Sequence, residues 1–165
     1  MVVVVASSLR APQSRHSCLR QYCLHSTNSS MASQFVGKYK MISSTNFDEY
    51  MKQLGVDFAT RKIANALSPS IEISIDGDHW TIKTTSTFKS EEAKFDLGKQ
   101  VEMTTLDGRR VNLLCTLENG QLIQKQIPLK AGDKESVIIR QINGDELTTI
   151  CRCDNVECKR VYKRE

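Results

Sequence analysis

In the segment Val156, Cys158, Arg160, Tyr162 the even-numbered face is apolar except at Arg160, while Glu157, Lys159 and Lys163 take the opposite face. Such alternation predicts a half-buried strand with Arg160 pointing inward. A guanidinium keeps its charge in any protein interior, so an inward arginine requires an anion, and a carboxylate gripped through two parallel hydrogen bonds suits it best.

Flanking turns indicate what stands beside it. Asn143-Gly144 separates the strand-like runs Ser136–Ile142 and Asp145–Cys153, and Asn-Gly is the strongest short hairpin signal. A two-residue loop there pairs 142 with 145, and one at Asp154-Asn155 pairs 153 with 156. Continuing both ladders sets Arg140 opposite Leu147, Leu147 opposite Tyr162, and Thr149 opposite Arg160. Strands lie about 4.8 Å apart, so Arg140 and Tyr162 are expected about 10 Å apart at the backbone, on one side of the sheet. No acid falls at these inward positions, which leaves two accounts of the counter-ion: a ligand carboxylate, or Asp107 or Glu102 from another strand.

Of the 165 residues, those before Met31 hold Arg10, Arg15 and Arg20, seven serines and no acid. Removing those three arginines from the 23 basic residues leaves 20 from Met31 onward, beside all 19 acidic ones. That balance argues against nucleic-acid binding, which needs a clustered basic excess. Residues 1–30 have a transit-peptide composition, and Val2 to Ala6 is too short for a membrane span. Two expectations follow for this stretch: a mitochondrial address, or an upstream start before a working Met31, the latter favoured. In either case residues 1–30 are expected to be a disordered extension and residues 31–165 the domain, in the reducing cytoplasm with free thiols.

From Gly37–Ser43, a first strand, the chain runs to Asn46 with Glu49 three residues on, which predicts a capping box. Phe47, Tyr50, Met51 and Leu54 then recur at helical spacing. Gly55 ends that helix, and Asp57 is expected to cap a second one with Phe58, Ile63 and Leu67 on its apolar face. Beyond Pro69 nine short strand-like runs alternate with turn residues up to Val156–Tyr162. Ten strands in meander hide their edges by closing. The fold class is therefore all-β, a ten-stranded antiparallel up-and-down β-barrel of clam shape, with the two helices as a lid over one end and room inside for a small ligand.

Gly37-Lys38-Tyr39-Lys40-Met41 with Asn46-Phe47-Asp48-Glu49-Tyr50-Met51 resembles the N-terminal signature of the intracellular lipid-binding proteins, the cytosolic fatty-acid-binding family. Leu54 to Lys62, Thr84 to Lys89 and the ending Cys158-Lys159-Arg160-Val161-Tyr162 extend the resemblance through the domain. It implies a carboxylate site at Arg140, Arg160 and Tyr162, and a cavity with Phe47, Met51, Gln126, Ile138, Leu147 and Thr149 in its wall. It also implies a portal near Val56, Ala64, Phe88 and Leu106. The implied ligand is a long-chain fatty acid, carried without catalysis by a monomer that needs no cofactor or metal and touches anionic membranes transiently, through Lys52, Arg61, Lys62 and Lys89. Retinol binders tend to carry glutamine where this chain has the two arginines, so an acid is implied; a retinoic-acid carrier is the alternative. Tyr39 where many relatives have tryptophan, Trp80 in its strand, and Thr149 and Cys151 in the pocket depart from the family pattern.

An enzyme reading has little material, because His79 is the single histidine after residue 30 and no nucleophile motif is present. A metal or redox reading rests on Cys151, Cys153 and Cys158, which lack a fourth ligand at zinc-site spacing. The same ladder that pairs 153 with 156 sets Cys151 opposite Cys158, and a bond between them under oxidant is expected to disturb Arg160.

Overall fold

A computed structural model of the chain describes residues 30–165. Apart from Ser30, the stretch expected to be a tail lies outside the described residues. Ten strands follow in order: β1 (Gly37–Thr45), β2 (Ser70–Asp76), β3 (His79–Thr85), β4 (Ser90–Asp96), β5 (Gln100–Thr104), β6 (Arg110–Glu118), β7 (Gln121–Pro128), β8 (Ser136–Asn143), β9 (Glu146–Cys153) and β10 (Val156–Arg164). All neighbours in the sheet pair antiparallel. Because β1 bonds to both β2 and β10, the meander curls into a barrel whose remaining seam, between β4 and β5, carries no ladder. The expected fold class is thus present, with a gap where full closure was expected.

A helical turn over 30–33 leads to Phe35, fully buried against Trp80 at the end of the barrel far from the lid. Trp80 stacks in turn on Phe95, and Tyr39 donates its phenol proton to the Phe35 carbonyl. Arg164 donates to the carbonyls of Gln34 and Val36 and lies 4.7 Å over the Tyr39 ring. These contacts plug one end with large aromatic surface. At the other end α1 (Phe47–Gln53) and α2 (Phe58–Asn65) cross the opening, with Tyr50 and Met51 packed on Cys151, Cys153 and Cys158.

Three local expectations are corrected. Asn46 makes no capping box: it takes φ 61°, leaves the helix end uncapped by its side chain, and donates its amide to the Glu157 carbonyl on β10. The competing acceptor on the neighbouring strand wins, and it ties the start of the lid to the sheet. Asp57, by contrast, accepts from the Thr60 amide as expected. Phe58 leaves the apolar face of α2 and is 65% exposed.

The third concerns register. At Asn119-Gly120 both residues take positive φ, 50° and 76°, and the two-residue hairpin forms as the sequence suggests. At Asn143-Gly144 the loop moves one residue on: Asn143 stays in β8 opposite Glu146, and the turn is Gly144-Asp145 with Gly144 at φ 61°. Arg140 therefore faces Thr149, not Leu147. Moving a loop by one residue shifts every pairing by two positions along the partner, so side chains keep their side of the sheet. The Asp154-Asn155 loop is as expected, and Thr149 faces Arg160, Leu147 faces Tyr162 and Cys151 faces Cys158.

All four described cysteines are free. Directly opposed residues have Cα atoms about 4.5–5.5 Å apart, within the span of a disulfide. Peptide mapping after mild peroxide should recover a Cys151–Cys158 bond and leave Cys153, opposite Val156, unbonded; a Cys153 bond, or none, would contradict this ladder.

Candidate functional site

The register places Arg140, Thr149 and Arg160 side by side on three consecutive strands, β8, β9 and β10. All three, with Tyr162, line one cavity beneath the lid. Sequence alternation turns them inward: Ser136, Ile138 and Arg140 share a face of β8, and Leu147, Thr149 and Cys151 share one on β9. Tyr162 is 2% exposed and Arg140 6%, and Arg160 is partly buried.

These groups are short of partners. Nε and Nη1 of Arg140, Nε of Arg160 and Oγ1 of Thr149 are buried without a hydrogen bond. Among the described residues the Arg160 guanidinium hydrogen-bonds only to the Met41 sulfur, at 3.0 Å, and it lies 4.0 Å over the Phe47 ring of α1. Neither acid named from sequence serves as counter-ion, because Asp107 pairs with Arg109 at 2.7 Å and Glu102 with Arg110 at 2.8 Å. Burial pulls the Arg140 guanidinium below its ordinary pKa, and burial raises the Tyr162 phenol although Arg160 opposes it, so that hydroxyl remains a donor. A buried donor left unmade is costly, and the missing element here is an acceptor carrying negative charge. Among the described residues no group of three or more histidines, cysteines or acids is arranged to hold a metal.

Phe47, Met51, Val56 and Ala64 of the lid segment line the cavity, with Ile138 and Thr149 from the barrel wall. Gln126 lines it too, its amide oxygen accepting from Ser136 at 2.8 Å and facing Arg109 at 3.5 Å. Phe88 and Leu106 lie at its mouth beside the β4–β5 seam, where Lys89 reaches across to the Leu106 carbonyl. Leu147 is the exception: it does not line the cavity but is fully buried in the cluster around Leu122 and Tyr162. One rung separates Leu147 from Thr149 on the inward face, and that rung divides packed core from open cavity.

Sequence reading missed Glu91. It lines the cavity from β4, opposite the arginine wall, among groups that sense Arg140, Asp107 and Arg109. Burial raises its carboxyl to about 7, and the pull of Arg140 only partly opposes this. A signal was available: Ala93 and Phe95 are the buried residues of β4, and Glu91 shares their parity.

Because its folded pKa lies above the ordinary value of 4.5, the fold binds more protons than the unfolded chain between about 4.5 and 7. Stability from this group is therefore present at low pH and lost as pH rises through that window. In delipidated protein, Glu91→Gln should raise Tm by a few degrees at pH 8, with the gain shrinking to nothing near pH 4.5; a pH-independent difference would show that Glu91 is not so shifted.

Comparison with known proteins completes the site's setting. Residues 36–165 match the sequence model of the lipocalin / cytosolic fatty-acid binding protein family. The adipocyte fatty acid-binding protein of the penguin Pygoscelis papua is 48% identical over 134 residues, 81% of this chain and 99% of the relative. The apo structure of lipid binding protein 8 from Caenorhabditis elegans superposes with a TM-score of 0.78 at 34% identity, covering 81% of this chain and 96% of that one. A Schistosoma mansoni fatty acid binding protein, solved in complex with arachidonic acid, gives 0.77 at 37% identity over 82% of this chain and 98% of that one. The chain, through its described barrel, belongs to the lipocalin / cytosolic fatty-acid binding protein family.

Proposed function

We propose that the protein binds a long-chain fatty acid reversibly and carries it without catalysis, with the carboxylate held by Arg140 and Arg160 and a hydrogen bond from Tyr162. The observation that carries this reading is the set of buried guanidinium N–H groups with no partner, facing a cavity whose acids are committed elsewhere or lie on the far wall. Relatives named for fatty acids, and one solved with arachidonic acid, support the ligand class. Burying about fifteen methylenes at about 0.8 kcal/mol each gains about 12 kcal/mol, comparable to the ~4–15 kcal/mol lost on association. The charged anchor then decides whether binding is tight.

Transfer is assigned to the lid end, in brief contact with anionic membrane. Phe58 is 65% exposed and Phe88 55%, each with a lysine ammonium over its ring, Lys62 at 5.3 Å and Lys89 at 5.7 Å. An aromatic ring flanked by cations suits the interface of a negatively charged bilayer. Arg61, expected to share this role, is instead tied to Asp48 at 3.2 Å and to the Val56 carbonyl, so its part is to hold α2 in place. No helix among the described residues is long and apolar enough to cross a membrane.

Arg160→Gln should weaken fatty-acid binding at least about tenfold while the matching long-chain alcohol loses much less, since only the acid uses the lost charge. Equal losses in a titration of the two ligands would make Arg160 structural. For transfer, Lys62→Glu with Phe58→Ser should slow delivery to anionic vesicles several-fold and leave delivery to neutral ones nearly unchanged. A rate that ignores both vesicle charge and these substitutions would place transfer elsewhere.

A further inference from the structure

Two rows of side chains face each other across the cavity, and they differ in kind. Arg140, Thr149 and Arg160 form the row on β8, β9 and β10. On the opposite wall Ile71, Thr84 and Glu91 stand in register across β2, β3 and β4, all three lining the same space. An aliphatic tail has no use for a carboxyl there. Glu91 is part-buried on this wall, and its carboxyl has no hydrogen bond or ion pair to another described residue. The nearby Arg109 is occupied by Asp107. Packing alone would favour an apolar or hydroxyl side chain at this position, since a carboxyl on a partly desolvated wall gains nothing without a hydrogen-bond partner.

A carboxyl accepts a hydrogen bond whether it is ionised or protonated, and Thr84 offers a hydroxyl on the neighbouring strand directly opposite it. A ligand long enough to run from the arginine wall to this one would bring its hydrocarbon chain past Glu91. We propose that Glu91, with Thr84 beside it, is a second polar subsite that accepts a hydroxyl carried on the ligand's chain, so that the protein selects hydroxylated long-chain fatty acids over unsubstituted ones. This rests on the fatty-acid reading above and adds a residue that sets preference within that class. A buried site built around a hydrogen bond discriminates strongly against the analogue that lacks the hydroxyl, because the acceptor is then left unpaired.

The experiment is displacement of a fluorescent fatty acid from the delipidated full chain by stearic acid and by a series of its monohydroxy derivatives, with the hydroxyl moved along the chain. One region of the series should bind about tenfold tighter than stearic acid. Glu91→Leu should erase that maximum and tighten stearic acid itself, whereas Glu91→Gln, which keeps an acceptor, should retain part of the preference. Stearic acid binding to Glu91→Leu doubles as proof that the variant is folded. A flat series in the natural protein, or a maximum that persists in Glu91→Leu, overturns the subsite while leaving the fatty-acid reading intact. Failure of stearic acid and every derivative to displace the probe overturns both.

Discussion

Two guanidiniums on one inner wall, without a carboxylate to meet them, set the terms for the rest of this molecule. Removing Arg140 from water is unfavourable by several kcal/mol unless an anion accompanies it, so the surrounding structure has to hold the charge in place against that tendency. It does so with three paired strands, whose backbone ladders fix Arg140, Thr149 and Arg160 at adjacent positions. The barrel's plugged end supplies the rigidity: Phe35, Trp80 and Phe95 pack there, and Arg164 on β10 ties down the segment that leads into β1. Stability is concentrated at one end and the unsatisfied polar groups at the other.

Two consecutive residues join the start of the lid to this arrangement. Asn46 anchors the start of α1 to β10 through the Glu157 carbonyl, and Phe47, the next residue, lies under the Arg160 guanidinium. A cation over an aromatic face is stabilised by the ring's negative potential, so the stacking partly compensates a charge that has no acid. The helix that covers the cavity thus shares a residue contact with the group at its heart, and the position of α1 and the electrostatics of Arg160 are set together.

How much of this was legible in the sequence varies with the kind of signal. Strand number, order and the side each residue faces came from alternation and turn residues, which are local and short-ranged. The pairing of Arg140 came out two positions off because Asn-Gly marks a tight turn without saying which two residues occupy its tip; parity survived the slip, so the residues brought together were still the right side chains. Asn46 and Phe58 were misread because their partners, Glu157 and the flanking cations, lie outside the local pattern. Leu147 and Thr149 look alike to alternation, and only the depth of the aromatic plug decides which is core and which is cavity. Glu91 was overlooked because Glu91-Glu92 reads as a solvated pair until Ala93 and Phe95 are seen to fix the inward face.

The seam between β4 and β5 bears on how the cavity can vary. Every other boundary in the barrel is a ladder of backbone hydrogen bonds, and widening it would break several at once. Here the edges approach without pairing, and the Lys89 contact to the Leu106 carbonyl is one of the few links across. Opening the wall along this line exchanges a flexible lysine's hydrogen bond for one to water, so the barrel has a compliant side and a stiff side. Ligands of different girth can then be accommodated by the backbone at little elastic cost, while the arginine rungs opposite keep their spacing. Charged residues pointing outward on the same edges, Glu92 and Lys94 on β4 and Glu102 on β5, discourage a strand of another molecule from filling the gap.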